Sequence, residues 1–60
     1  MKDDFGVFVE EGRKLNYWGS FEDEEKAKSV AQAGANKTGA EAYVYRFPDC
    51  SRVATLVPEK

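Results

Sequence analysis

The stretch Glu41-Ala42-Tyr43-Val44-Tyr45-Arg46-Phe47 decides the fold, because small and aromatic side chains alternate along it. Alternation with a period of two is typical of a β-strand whose two sides meet different surroundings. Ala42 and Val44 share one side, and Tyr43, Tyr45 and Phe47 share the other. We therefore predict a strand over residues 41–47, with its small side packed against another layer of the protein.

The segments on either side of this strand complete a short α+β pattern. Residues 4–10 and 13–20 alternate in the same way around Gly12, and residues 52–57 follow a turn at residues 48–51. A helix is predicted over about residues 22–37, after a capping-box-like start at residues 20–23 and before a stop at Thr38-Gly39. The order β-β-α-β-β predicts a single α+β domain over residues 1–60. It has a four-stranded antiparallel sheet of two hairpins, with one helix packed on one face.

The register of the first hairpin has two possible solutions. A two-residue turn at Glu11-Gly12 pairs Phe8 with Leu15 and Phe5 with Trp18, which mixes the two faces. A three-residue loop with Gly12 in the left-handed conformation pairs Val9 with Arg13, Val7 with Leu15 and Phe5 with Tyr17. We predict the second register, which leaves Phe8 and Trp18 on the opposite face.

The predicted core lies between this hairpin, the helix and the last two strands. Small residues at helical spacing indicate that the helix lies close to the sheet, and they are Ala27, Val30, Ala31, Gly34 and Thr38. Gly34 lowers helix propensity by about 1 kcal/mol, which indicates either close packing or a fraying end. The pattern does not decide which side of residues 52–57 faces inward. Val53, Thr55 and Val57 compete with Ala54 and Leu56 for that side. The main predicted core residues are Phe5, Val7, Val9, Leu15, Phe21, Val30, Val44 and Leu56.

Composition excludes several classes of function. The 60 residues include one cysteine and no histidine, so one chain cannot form an intrachain disulfide or a Cys/His zinc site. No set of acid, base and nucleophile is visible, so we expect no enzyme activity, no metal and no cofactor. The net charge of −2 gives no long-range attraction to nucleic acids or anionic membranes. Cys50 lies in a predicted turn without an activating base, which indicates an inert thiol.

The face that a single helix leaves uncovered is rich in aromatic residues. Large exposed apolar patches mark interaction sites. Association also lets a short chain bury apolar surface that it cannot bury alone. We therefore predict a non-catalytic interaction protein that forms a homodimer through this face and acts by binding another protein. A module that stacks single-stranded nucleic acid on the rings is the alternative. The predicted interaction face consists of Phe8, Trp18, Tyr43, Tyr45 and Phe47.

An acidic run precedes the predicted helix and is a second candidate partner patch. It consists of Glu22, Asp23, Glu24 and Glu25. The same residues suit a helix N-terminus, where Glu22–Lys26 and Glu24–Lys28 are favourable pairs one turn apart. The helix start is the interpretation that this pattern favours.

Two segments resemble parts of known families. Residues 5–10 resemble the Phe-Gly-Phe-Val core of an RNA-recognition-motif strand, although Asp3 and Asp4 stand where that motif has a basic residue and a glycine. Residues 17–21, with the following helix and residues 42–45, resemble the start of a SPOR-type peptidoglycan-binding domain. Both families have a second helix, for which this pattern leaves no room. Neither family is therefore expected.

The sequence pattern also favours a cytoplasmic location. No apolar run is long enough to span a membrane, and residues 1–4 lack the apolar segment of a signal peptide. A lone thiol is typical of a reducing compartment. In length, acidity and layout, the chain looks like the short accessory proteins of phages and mobile elements, which often bind a host protein.

Overall fold

One antiparallel sheet and one helix make up the fold in the computed structural model, which describes residues 3–59. The elements are β1 (Asp4–Glu11), β2 (Lys14–Phe21), α1 (Glu24–Thr38), β3 (Ala42–Phe47) and β4 (Ser51–Leu56). The strand order is β2-β1-β3-β4, so β1 and β3 occupy the centre of the sheet. The predicted fold class is confirmed. In residues 3–59, no helix is both long and apolar enough to cross a membrane.

The helix crosses over β1 because of this strand order. β2 and β3 are both antiparallel to β1, so they run parallel to each other on its two sides. Parallel strands need a crossover connection, and α1 supplies it on one face of the sheet. The opposite face has no second layer among residues 3–59.

The core between the helix and the sheet is built from small side chains. The completely buried residues are Val7, Val9, Ala27, Ala31, Ala35, Ala42 and Val44. Larger residues pack around them in partly buried positions, and they are Phe5, Phe21, Val30, Val53, Ala54 and Leu56. Leu15 was wrongly predicted to belong to the core, since it is 50% exposed.

Two caps fix the length of α1. At its start the Asp23 carboxylate accepts a hydrogen bond from the backbone N–H of Glu25 at 3.0 Å. The cap is therefore Asp23 and not Ser20, where the capping-box-like pattern began. At its end Gly39 adopts a left-handed φ of 72°, and its N–H donates to the carbonyl of Ala35 at 2.8 Å. This confirms the predicted stop at Thr38-Gly39.

Gly34 marks the closest approach of the helix to the sheet. A Cβ atom at this position would lie 2.6 Å from Cγ2 of Val9 and 3.3 Å from the ring of Trp18. Only glycine fits there without a shift of its neighbours. Close packing, and not a fraying end, is thus the reason for this glycine.

The predicted register of the first hairpin was wrong. The turn lies at Gly12-Arg13, so Glu11 pairs with Lys14 and Phe8 pairs with Tyr17. Gly12 does adopt a left-handed φ, at 65°. Beyond Phe8 the register shifts by one residue, so that Trp18 is the extra residue of a β-bulge. The position of the turn explains the wrong face assignment, because Leu15 and Tyr17 lie between the turn and the bulge at Trp18.

This register exchanges residues between the two faces. Leu15 and Tyr17 lie on the face away from the helix, paired with Glu10 and Phe8. Trp18 lies on the helix side, where its ring approaches Gly34, and it is 38% exposed. Both placements are the reverse of those predicted from the sequence.

The last strand also contains a bulge. Val44 pairs with Ala54 while Tyr45 pairs with Arg52, which leaves Val53 as the extra residue. Ala54 therefore faces the helix, as does Leu56, which pairs with the buried Ala42. Arg52 faces the other side. The inward face of this strand, which the sequence left open, is settled by that pairing.

Candidate interaction face

The sheet face away from α1 carries most of the aromatic side chains, and we call it the open face. Phe8 lies near its centre, with Tyr17 on the neighbouring strand β2 and Tyr43 on β3. Tyr17 and Leu15 are 58% and 50% exposed. The large apolar and aromatic residues of the open face are Phe8, Leu15, Tyr17, Tyr43, Tyr45 and Phe47.

The rings form a continuous cluster around Phe8. Its centroid lies 5.3 Å from that of Tyr17, 5.5 Å from that of Tyr45 and 6.5 Å from that of Phe47. The contacts with Tyr45 and Phe47 are edge-to-face, an arrangement that aromatic quadrupoles favour. The cluster therefore has a defined geometry before any partner binds.

Gly6 lets one of these rings lie down on the sheet. It is buried on the open face, opposite Tyr45 in the register. A Cβ atom at Gly6 would lie 2.5 Å from Cε2 of Phe47 and 3.4 Å from Cε1 of Phe8. The absence of a side chain thus makes room for the Phe47 ring over the backbone of β1.

A shallow pocket lies among these side chains. It has a volume of about 140 Å³ and is lined by Phe8, Leu15, Tyr45 and Phe47. Pockets for drug-sized ligands are commonly about 300–1,000 Å³. The size of this pocket suits a single apolar side chain better than a whole small molecule.

Carboxylates border the aromatic cluster. Asp4 pairs with Phe47 at one end of β1, and Glu10 lies on the open face at the other end. Glu41 accepts a hydrogen bond from the Tyr43 hydroxyl at 2.9 Å. Among the described strand residues, Arg52 is the cation that the register places on this face, and its guanidinium carbon lies 5.5 Å from the centre of the Tyr43 ring.

The surroundings of Tyr43 change its acidity. The hydrogen bond to Glu41 is the main cause that raises the pKa of the Tyr43 hydroxyl, and desolvation and the charges of Glu41 and Glu10 act in the same direction. Arg52 lowers this pKa, but its effect is smaller. The border of the open face is therefore electrically negative around Tyr43.

The structure brings together most of the predicted interaction face. Phe8, Tyr43, Tyr45 and Phe47 lie on the open face, while Trp18 lies on the helix side. Sequence reasoning missed Leu15 and Tyr17. The available signal was Gly12, because a two-residue turn that begins with glycine pairs Glu11 with Lys14 and so places Leu15 and Tyr17 on the side of Phe8.

The acidic run at the helix start is mainly engaged within the helix. Asp23 caps α1, and Glu24 and Glu25 lie 3.2 and 3.8 Å from the amine of Lys28. The hydrogen bond and the charge of Glu24 are the largest causes that raise the pKa of Lys28. The predicted Glu24–Lys28 pair is thus confirmed. These contacts show that Asp23, Glu24 and Glu25 stabilise the helix.

Comparison with known proteins adds no functional indication. No protein-family model matches the chain, and no curated protein or solved structure is significantly similar to it. The open face, with its cluster of rings around Phe8, is the feature of the molecule that indicates a function.

Proposed function

We propose that this chain is a non-catalytic interaction protein that binds another protein through the open face. One observation carries the proposal: a connected cluster of aromatic rings lies on the sheet face that α1 leaves uncovered. Four strands at about 4.8 Å spacing and about six residues long give the whole face, its polar residues included, roughly 400 Å² in projection. The largest apolar patch on a monomeric protein is often a functional surface.

The edges of the sheet are less suited to association than its face. Both edge strands contain a β-bulge, at Trp18 in β2 and at Val53 in β4. Bulges twist an edge and interrupt its regular row of hydrogen-bonding groups, which discourages the addition of another strand. Binding through the face is therefore the mode that this sheet favours.

Homodimerisation is the second candidate for this face. The largest completely buried side chains are three valines, so covering the rings with a second copy adds apolar burial that the monomer lacks. However, two copies bring like charges together, since each face carries Asp4, Glu10 and Glu41 against Arg52. Like-charge contacts oppose association. A different protein of opposite charge is favoured for this reason.

The same charges weigh against single-stranded nucleic acid as the ligand. Rings and the stacked Arg52 resemble a base-stacking surface. Phosphates need several cations to replace their counterions, and the described border of this face is mainly acidic. If nucleic acid is nevertheless the ligand, a labelled oligonucleotide binds at low salt and is released steeply as salt rises.

A pair of variants tests the proposed function. Tyr17→Arg places a charge on the open face, and Ala33→Arg places the same charge on an exposed position of α1, on the other side of the protein. Each immobilised protein is incubated with an extract of its native cells, and the retained proteins are quantified. We expect a partner that wild type and Ala33→Arg retain and that Tyr17→Arg largely loses.

Two results would contradict the proposed function. One is a partner retained equally by Tyr17→Arg, because binding then does not use the open face. The other is a stable homodimer in light scattering that Tyr17→Arg converts to a monomer. That result would make the second copy the occupant of the face.

A further inference from the structure

On the basis of the proposed function, we infer that the open face binds a basic protein segment through one apolar anchor side chain. The anchor enters the pocket lined by Phe8, Leu15, Tyr45 and Phe47. Lysine or arginine residues on both sides of the anchor contact the carboxylates at the border and the exposed ring of Tyr17.

The pocket defines the centre of the bound segment. Its volume of about 140 Å³ is suited to one leucine-sized or phenylalanine-sized side chain. Buried apolar anchors in such pockets commonly contribute most of the affinity of an interface. The ring of Phe8 packs edge-to-face on those of Tyr45 and Phe47, so the pocket is formed before binding.

The carboxylates define what flanks the anchor. Asp4 and Glu10 lie six residues apart on β1, which corresponds to about 20 Å. Glu41 lies beside Glu10, across the β1–β3 pair, where the backbone N–H of Glu10 donates to the Glu41 carbonyl at 3.0 Å. A segment that crosses this face meets negative charge on both sides of the pocket. Opposite charge at those positions gives electrostatic complementarity.

The exposed ring of Tyr17 offers a second type of contact to the same cations. A guanidinium or ammonium group over an aromatic ring is attracted by the ring quadrupole. Arg52 already adopts this arrangement over Tyr43, at 5.5 Å. Tyr17 is 58% exposed, and its ring lies beside Phe8 at the edge of the cluster. An arginine of the partner can therefore stack there.

Labelled synthetic peptides test this inference by fluorescence anisotropy. Each peptide is about seven residues long, enough to span about 20 Å when extended. The first has a central leucine flanked by arginines. The others replace the arginines by serines or by glutamates, or replace the leucine by alanine. We expect the Arg-flanked leucine peptide to bind about tenfold more tightly than each of the others at physiological salt.

Protein variants locate the binding. Glu10→Gln and Glu41→Gln should each weaken binding of the Arg-flanked leucine peptide by about threefold, and Tyr17→Arg should weaken it by about tenfold or more. Glu25→Gln is the matched control, because it removes the same charge from an exposed position on α1. It should leave the affinity unchanged.

The inference is overturned if the serine- or glutamate-flanked peptide binds as tightly as the arginine-flanked one. It is also overturned if Glu25→Gln weakens binding as much as Glu10→Gln. The retention experiment separates this failure from failure of the proposed function. Suppose that Tyr17→Arg loses the partner but that peptide affinity does not depend on the arginines. The proposed binding through the open face then stands, and only the basic segment is rejected.

Discussion

At the scale of single residues, Gly34 sets the distance between the helix and the sheet. Replacement by alanine raises helix propensity by about 1 kcal/mol. It also places a Cβ atom 2.6 Å from Cγ2 of the fully buried Val9. Overpacking of a core costs about 1–3 kcal/mol. We therefore expect Gly34→Ala to lower the free energy of unfolding by about 1 kcal/mol in urea denaturation.

Ala33 provides the comparison for this variant. It is the neighbouring helical residue and is exposed. Ala33→Gly changes propensity alone and should also cost about 1 kcal/mol. A Gly34→Ala protein as stable as wild type, or more stable, would show that the close approach to Val9 does not limit the helix position.

Tyr43 gives a residue-scale prediction for the effect of pH. Its pKa is raised, chiefly by the hydrogen bond to Glu41. A raised folded-state pKa adds stability that is present below the ordinary tyrosine value of about 10 and is lost as pH rises through the higher folded value. In Glu41→Ala, the Tyr43 pKa should fall toward the ordinary value. The stability that the protein loses at high pH through Tyr43 should therefore be smaller than in wild type.

Absorbance of the tyrosinate ion during an alkaline titration measures this effect. All three tyrosines of the chain contribute to this absorbance, so Tyr43→Phe identifies the contribution of Tyr43 by difference. The account of the Glu41–Tyr43 contact is wrong if Glu41→Ala leaves that contribution at the same pH.

At the scale of elements, the start of α1 depends on one side chain. Asp23 caps the helix, and loss of such a cap costs about 1 kcal/mol. We expect Asp23→Ala to lower the free energy of unfolding by that amount, as measured by thermal denaturation. Ser20→Ala should have little effect, since Ser20 is only the exposed residue at which the predicted cap pattern began. A larger loss for Ser20→Ala than for Asp23→Ala would contradict the observed cap.

The order and approximate ends of the elements could be predicted from the sequence, because their signals are local. Three such signals each depend on a few neighbouring residues. They are the alternation around Tyr43, the small residues on one side of the helix, and Gly39 at its end. The register of β2 could not be predicted in the same way. It depends on where the turn lies: a turn at Gly12-Arg13, in place of the predicted three-residue loop, moves Leu15 and Tyr17 to the opposite face. The bulge at Trp18, beside Gly19 with its φ of 117°, comes after both residues and does not affect their placement.

At the scale of the whole molecule, the strand order was not available from the sequence. It depends on pairing between distant segments, in which β1 takes β3 as its second neighbour. The candidate site was predicted in part, because its β3 members follow from alternation alone. The observed register places Tyr17 and Leu15 on the open face, and it removes Trp18 from the predicted set.

Under the proposed function, the helix side of the sheet provides stability and the open face provides binding. The helix side holds the fully buried valines and alanines, whereas the open face holds rings that α1 does not cover. Val9→Ala should therefore cost about 2 kcal/mol of unfolding free energy. Tyr17→Ser should cost less, about 0.5–1 kcal/mol, because it removes one cross-strand ring contact with Phe8. Equal losses in chemical denaturation would mean that the rings serve mainly to stabilise the fold.

The measurement that tests the central claim most directly is an NMR titration of the isotopically labelled protein with the Arg-flanked leucine peptide. The account predicts that the ring signals of Phe8, Tyr17 and Tyr45 shift most. The amide signals of α1 should stay in place. Shifts confined to α1, or no shift on the open face at saturating peptide, would contradict the assignment of the aromatic face as the binding surface.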